Sequence, residues 1–135
     1  MINYKKVMLD GILFDSKTEA EYYTFLKYQE STGVISHLRC HPKYVLVPKF
    51  KKDGKTQRAI NYILDFEYMR NLDDKTVVVD VKGYAMEDAQ LKRKIFNWIY
   101  PEIELKWVAK SMKYGHCGWI DYDELQRLRR AAKKK

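Results

Sequence analysis

The chain has 135 residues, which is enough for one compact domain, and 46% of them are hydrophobic and 14% are aromatic. This composition excludes a disordered chain, and no apolar run approaches the roughly 18 residues that a membrane-spanning helix needs. Lys and Arg number 26 against 18 Asp and Glu, and the resulting formal net charge of +8 favours a polyanionic partner such as nucleic acid without establishing one.

The cysteines and the N-terminal stretch indicate where the protein works. Cys40 and Cys117 are too few for a disulfide framework and lack the CxxC spacing of a metal or redox motif. The stretch MINYKKVMLDG lacks the apolar core of a signal peptide. We therefore expect a cytoplasmic protein.

The first predicted element is a helix over residues 15–33, DSKTEAEYYTFLKYQESTG. Ser16 is placed to cap its N-terminus, Glu19 stands at the capping-box position three residues later, and Gly33 ends it.

Strand patterns follow the first helix. Residues 34–50 are β-rich but interrupted by two prolines, which predicts one or two strands with a bend. Asp53-Gly54 predicts a hairpin turn, and RAINYILDFEYM, residues 58–69, is predicted as a single strand. Along that strand, one face carries Tyr62, Leu64, Phe66 and Tyr68, and the other face carries Ile63, Asp65 and Glu67. After a second turn comes a strand ending at Lys82.

A second helix is predicted over residues 86–100, ended by Pro101, with an apolar stripe of Leu91, Ile95, Trp98 and Ile99. A strand over 103–109, a glycine-rich loop and a last helix from Asp121, which carries the basic run RLRRAAKKK, complete the chain. The order is helix, three strands, helix, strand, helix. A helix between the third and fourth strands predicts that these two strands are parallel. We expect a single α/β (α+β) domain over 1–135 with a mixed sheet, a core over about 10–110 and a basic helix over 121–135.

Charged pairs of the form D/E-x-K recur along the chain, and only their surroundings distinguish them. Five are present: Asp15–Lys17, Asp53–Lys55, Asp73–Lys75, Asp80–Lys82 and Glu104–Lys106. Three lie in turns or at a helix start, and the pair at 104–106 alternates with apolar residues as a surface ion pair would. The pair at 80–82 instead follows three valines that predict burial on both faces, where an unpaired charge is costly.

Asp65 on the preceding strand is predicted to face Asp80. Two adjacent carboxylates repel each other and favour a divalent cation, since Mg²⁺ prefers hard oxygen ligands. Lys82 would then stand beside metal-bound water or phosphate. The alternative is a buried ion pair between Asp80 and Lys82 that only joins two strands, and the pattern alone leaves both readings open.

Four motifs in this order carry a resemblance to a known group of proteins. FDSKTEAEYY, YILDFEY, VVVDVKG and LKRKIF resemble the PD-(D/E)xK nuclease superfamily, and within it a small phage and prophage family of endonucleases described as Holliday-junction-resolvase-like. The resemblance covers about residues 10–110 and implies a restriction-endonuclease-like core. Leu64 precedes Asp65, so the proline of the superfamily's name is missing here.

The resemblance implies a role for particular residues. Asp65, Asp80 and the backbone carbonyl of Val81 become metal ligands, Lys82 becomes the catalytic lysine, and Glu19 becomes a fourth catalytic and metal-binding group. Glu21 is the reserve candidate. The alternative for Glu19 is that it only forms a capping box with Ser16, since a carboxylate that folds back on its own helix cap cannot also bind metal. DNA phosphate is expected to contact the second helix through Gln90, Lys92 and Lys94, with Lys92 the best placed; the alternative is an ordinary solvated face.

The resulting expectation is a Mg²⁺- or Mn²⁺-dependent DNA endonuclease that hydrolyses phosphodiester bonds, acting on branched DNA or a Holliday junction in phage recombination or replication, in the host cytoplasm. A homodimer would suit a two-fold symmetric junction. The main alternative is a non-catalytic nucleic-acid-binding domain on the same fold, and a more distant one is a structural phage protein in which the Asp–Lys pair only registers strands.

Overall fold

The structure is a computed structural model that describes residues 5–134. Its helices are α1 (Lys17–Ser31), α2 (Glu87–Ile99) and α3 (Tyr122–Lys133). Its strands are β1 (Val7–Leu9), β2 (Ile12–Phe14), β3 (Ile35–Cys40), β4 (Lys43–Val47), β5 (Phe50–Lys52), β6 (Lys55–Gln57), β7 (Ile60–Ile63), β8 (Phe66–Arg70), β9 (Lys75–Val81), β10 (Glu104–Lys110) and β11 (Trp119–Asp121).

A five-stranded mixed sheet forms the centre, in the order β11-β10-β9-β8-β3. β9 and β10 run parallel, with α2 as the connection between them, and the other neighbours are antiparallel. The predicted mixed α/β architecture and the parallel pair are therefore confirmed. The predicted element order was incomplete, because β1 and β2 form a hairpin before α1, and β4–β7 and β5–β6 form two further pairs.

Local capping and turn signals formed as predicted. Ser16 caps α1 by accepting a hydrogen bond from the Glu19 backbone N–H at 3.2 Å. The last helix was predicted to start from Asp121, and this residue caps α3 by accepting a hydrogen bond from the Glu124 backbone N–H. Asp53 and Gly54 both have positive φ, at 51° and 75°, which is the backbone that a two-residue hairpin turn requires. The sequence pattern sufficed here because these interactions are local.

The predicted strand over residues 58–69 was wrong, because the chain bends in its middle. The Leu64 N–H donates to the Pro42 carbonyl, whereas the Asp65 N–H donates to the Val79 carbonyl. Partners thus change within one peptide: β7 pairs with β4 in a separate arm, and β8 pairs with β9 in the central sheet. We call the β4–β7 pair the bent arm.

Side chains on the two faces of the sheet form different cores. Val77 and Val79 pack with α1 and the β1–β2 hairpin, while Val78 packs against the bent arm and Phe96 of α2. α3 packs on Trp107 and Ala109 of β10. Tyr62 and Leu64 consequently lie in the α2 core and Phe66 and Tyr68 in the α1 core, so these four residues do not share one face as the straight strand predicted.

The predicted apolar stripe of α2 was also wrong in part. Phe96 is fully buried, with Ile95 and Ile99 packed beside it, whereas Leu91 is 59% exposed and Trp98 is 84% exposed. The bent arm covers the side of α2 that carries Phe96, which helical spacing alone cannot specify. None of the helices within residues 5–134 combines the length and the apolar character needed to cross a membrane.

Candidate active site

Two aspartates meet at the carboxyl end of β9. The β8–β9 register ends with Phe66 paired with Val79, and Asp65 and Asp80 are the next residues along the chain on either side of that pair. Both side chains line the same cleft. Burial, and then the neighbouring charge of Asp80, raise the pKa of Asp65 well above its ordinary value. The pair is therefore electrostatically costly without a compensating proton or cation.

The oxygen atoms of the two aspartates have well-defined partners. Asp65 Oδ2 accepts a hydrogen bond from the Val81 backbone N–H at 2.7 Å. Asp80 Oδ2 accepts one from the Tyr62 hydroxyl at 2.9 Å and lies 2.9 Å from Lys82 Nζ. Asp80 is only 8% exposed, so these contacts are what allow it to carry a charge there. Lys82 and Asp80 point to the same side, as the strand alternation predicted.

Behind Asp80 lies a layer of two aromatic residues that the sequence pattern did not identify as part of the site. Trp107 pairs with Asp80 across β9 and β10, and its Nε1 donates to the Tyr62 hydroxyl at 2.9 Å. The Tyr62 hydroxyl in turn donates to Asp80, and burial and the Asp80 charge raise the pKa of Tyr62, which keeps it a donor. Strand alternation grouped Tyr62 only with Leu64, Phe66 and Tyr68. The sequence pattern did not indicate the bend that brings its hydroxyl to Asp80.

Glu19 approaches the aspartates from the N-terminus of α1. It lines the same cleft, and burial, then the charge of Asp15, raise its pKa, with a smaller contribution from Asp80. Its carboxylate accepts a hydrogen bond from the Asp15 backbone N–H at 3.3 Å, so it folds back on the helix start while still facing the site. Glu21, the reserve candidate, forms an ion pair with Lys110 and is not part of the cleft lining.

The three residues of α2 that were predicted to contact DNA do not lie on the same side of the helix. Lys92 is half-buried and lines the cleft with Asp65 and Asp80. Gln90 and Lys94 are exposed and line a different depression, on the side of α2 that faces Asp123. Only Lys92 can therefore reach a ligand that lies over the two aspartates.

The cleft itself has a volume of about 890 Å³. Asp65, Asp80 and Lys82 line it, together with Lys92 and Arg129. Lys92 and Arg129 form no ion pair with any residue that the structure describes. A cleft lined by two neighbouring aspartates and by cations without ion-pair partners can accommodate a cation and a phosphate together.

The donor set fits a hard divalent cation. Mg²⁺ is commonly held in proteins by one or two carboxylates, with water and substrate phosphate completing its shell, and Asp65 and Asp80 supply two adjoining carboxylates. Among residues 5–134, no three acidic, histidine or cysteine side chains are close enough together to hold a metal ion. Glu19 would have to leave the Asp15 backbone to become a third ligand.

Comparison with known proteins gives the chain a family and no activity. The chain belongs to the family described as protein of unknown function DUF1064, whose sequence profile matches residues 2–116. No curated protein and no solved structure matches the chain at a significant level.

Proposed function

We propose that this member of the DUF1064 family is a DNA endonuclease that depends on Mg²⁺ or Mn²⁺ and has a restriction-endonuclease-like core. The observation that carries the proposal is that Asp65 and Asp80 line one cleft, with Lys82 Nζ 2.9 Å from Asp80 Oδ2. A strand-joining ion pair needs one acid and one base. The second buried acid destabilises such a pair, so it is better explained by a metal that requires both.

The topology supports the proposed core. α1, then β3, β8 and β9 as antiparallel neighbours, then α2 and the parallel β10 follow the order that the superfamily resemblance implies. Asp65 lies directly before β8, Asp80 lies in β9 and Lys82 directly follows it, which supports the roles that the resemblance implies for them.

In the proposed reaction, water attacks phosphorus, a P–O ester bond breaks, and the products are a phosphomonoester and a free hydroxyl. Asp65 and Asp80 would hold the cation, which when bound supplies charge neutralisation on the phosphate and a lower pKa for water. Lys82 donates hydrogen bonds to the attacking water or to the phosphate oxygens as their charge develops. Lys92 binds a neighbouring phosphate from the wall of the cleft, and the backbone carbonyl of Val81 and Glu19 remain candidate ligands.

The test is a cleavage panel with single-stranded, duplex, flap and four-way DNA, in Mg²⁺, in Mn²⁺ and in chelator. We expect metal-dependent cleavage that Asp80→Asn reduces by at least roughly 100-fold. Glu104→Gln is the matched control, because it neutralises the acid of the other strand-borne E-x-K pair and should leave cleavage unchanged. If no DNA is cut, or if Asp80→Asn cuts as fast as the wild type, the proposal is wrong.

The same panel separates the finer expectations. Preference for flap or four-way DNA over plain duplex would support a branched substrate, and light scattering with and without four-way DNA would test the homodimer. DNA that is bound but never cut, with any metal, would instead indicate the non-catalytic binding domain.

A further inference from the structure

A second depression adjoins the cleft, and its lining is basic. It has a volume of about 530 Å³ and lies between α3 and the loop that follows β10. Lys113 lines it from the loop, and Arg129, Arg130 and Lys133 line it from the helix. Arg129 also lines the cleft, and the proposed reaction assigns no step to any of these four cations.

The geometry of α3 places its cations together. Gln126, Arg129, Arg130 and Lys133 are spaced i, i+3, i+4 and i+7, so they lie on one face of the helix. That face is held in place because Leu125 of the same helix is buried against β10.

These cations also lack neutralising partners. In the part of the chain that the structure describes, α3 carboxylates pair with Arg127 and with Arg93, and none pairs with Arg129, Arg130 or Lys133. Neighbouring like charges repel, and an anion that bridges several of them relieves the repulsion. A single small anion would neutralise only part of such a row, so the row fits a polyanion better.

The depression is continuous with the cleft, since Arg129 lines both. We propose that Lys113, Arg129, Arg130 and Lys133, named here the α3 track, bind the sugar-phosphate backbone of a nucleic-acid strand that leads out of the cleft. Arg129 and Lys133 are separated by roughly 6 Å along the helix, which is close to twice the axial spacing of about 3.4 Å between phosphates of one DNA strand. The path assigned to the bound strand rests on the proposed function, because it starts from the cleft in which the cut phosphate would lie.

The test compares two variants that remove the same charge from the same helix. Arg130→Gln removes a track residue, whereas Arg127→Gln removes an arginine that Glu124 already neutralises. Binding of a labelled DNA duplex is measured by fluorescence anisotropy over a range of salt concentrations, in chelator so that neither metal nor cleavage contributes. Both arginines are exposed, so unfolding midpoints should stay at the wild-type value.

Loss of one phosphate contact lowers the slope of log affinity against log salt by about 0.9, which corresponds to about 8-fold weaker binding at about 0.1 M salt. We expect this loss for Arg130→Gln and less than about 2-fold for Arg127→Gln. Equal losses in the two variants would overturn the α3 track, because binding would then follow net charge alone. Binding to phosphatidylserine vesicles but not to DNA would overturn it as well.

Failure of the α3 track and failure of the endonuclease proposal give different results. If the wild type cuts DNA and both variants bind DNA equally well, the α3 track is wrong and the endonuclease proposal stands. If Arg130→Gln shows the expected loss of binding but no DNA is ever cut, the α3 track stands and the endonuclease proposal is wrong.

Discussion

The contact between Lys82 and Asp80 makes the substitution Lys82→Met a sensitive probe of the site. The two side chains are only 18% and 11% exposed, and their charged atoms are 2.9 Å apart. Met keeps the volume of the lysine stem and removes its charge, so Asp80 would remain buried next to Asp65 with no cation. We expect the metal-free variant to be markedly less stable than the wild type.

The size of the loss follows from the partners that remain. Removing one member of a buried ion pair costs about 3–5 kcal/mol, and the hydrogen bond from the Tyr62 hydroxyl to Asp80 survives and offsets part of it. The expected decrease in the free energy of unfolding is therefore about 2–4 kcal/mol.

Denaturant unfolding in chelator measures this loss, with Lys106→Met as the matched control. Lys106 Nζ lies 3.9 Å from Glu104 and its side chain is 41% exposed, so its removal should change the free energy of unfolding by less than about 0.5 kcal/mol. Equal effects of the two substitutions would refute the buried ion pair in the folded protein.

Adding Mg²⁺ extends the same experiment to the metal site. Lys82 repels a cation held by the aspartates, so Mg²⁺ should bind Lys82→Met more tightly and recover more of its stability than it adds to the wild type. A ligand at ten times its dissociation constant adds about 1.4 kcal/mol. If Mg²⁺ stabilises neither protein, the two aspartates are not a metal site.

Three further predictions probe the aromatic layer, the acid pair and the core. Tyr62→Phe should lower Mn²⁺ affinity by roughly 10-fold in calorimetry, whereas Tyr44→Phe, which loses a hydroxyl bonded to a carboxylate outside the cleft, should not; equal affinities would exclude a positioning role. The pKa of Asp65 is raised in the folded state, so its protonation stabilises the fold fully below its unfolded value of about 3.9 and progressively less as pH rises. Unfolding free energy in chelator should therefore fall between about pH 5 and about pH 8, with less fall in Asp65→Asn, and a flat wild-type profile would contradict this. Phe96→Ala should cost about 3–5 kcal/mol because that side chain is fully buried. Trp98→Ala should lower the free energy of unfolding by less than about 0.5 kcal/mol. A comparable loss in thermal melts of the two variants would mean that the face of α2 that carries Trp98 is also packed.

Local rules accounted for much of the secondary structure. The cap of α1, the start of the last helix at Asp121 and the turn at Asp53-Gly54 depend on residues within a few positions of each other, and the structure has them as predicted. The side on which Asp80 and Lys82 lie follows from strand alternation, and their facing partner Asp65 follows from the register of one hairpin. These features need no knowledge of the remaining chain.

Other features depend on contacts between distant segments. Phe96 is buried because the bent arm packs against it, and the roles of Tyr62 and Trp107 arise because the bend and β10 bring their polar atoms together. The separation of Lys92 from Gln90 and Lys94 has a similar origin, since it depends on which side of α2 the cleft opens. A pattern read along one element contains no information on such neighbours.

The bend at Leu64–Asp65 connects the fold to the proposed chemistry. A straight strand would have continued along β9 beyond Asp80 and occupied the space where the cleft opens. Because the chain leaves β9 there, the Val81 N–H requires another acceptor, and the Asp65 carboxylate supplies it. Asp65 therefore satisfies the backbone at the bend while placing a second carboxyl group beside Asp80. Asn at this position could keep the hydrogen bond and remove only the charge, whereas Ala would remove both, so Asp65→Asn is the substitution that separates the structural role of this residue from its proposed role in metal binding.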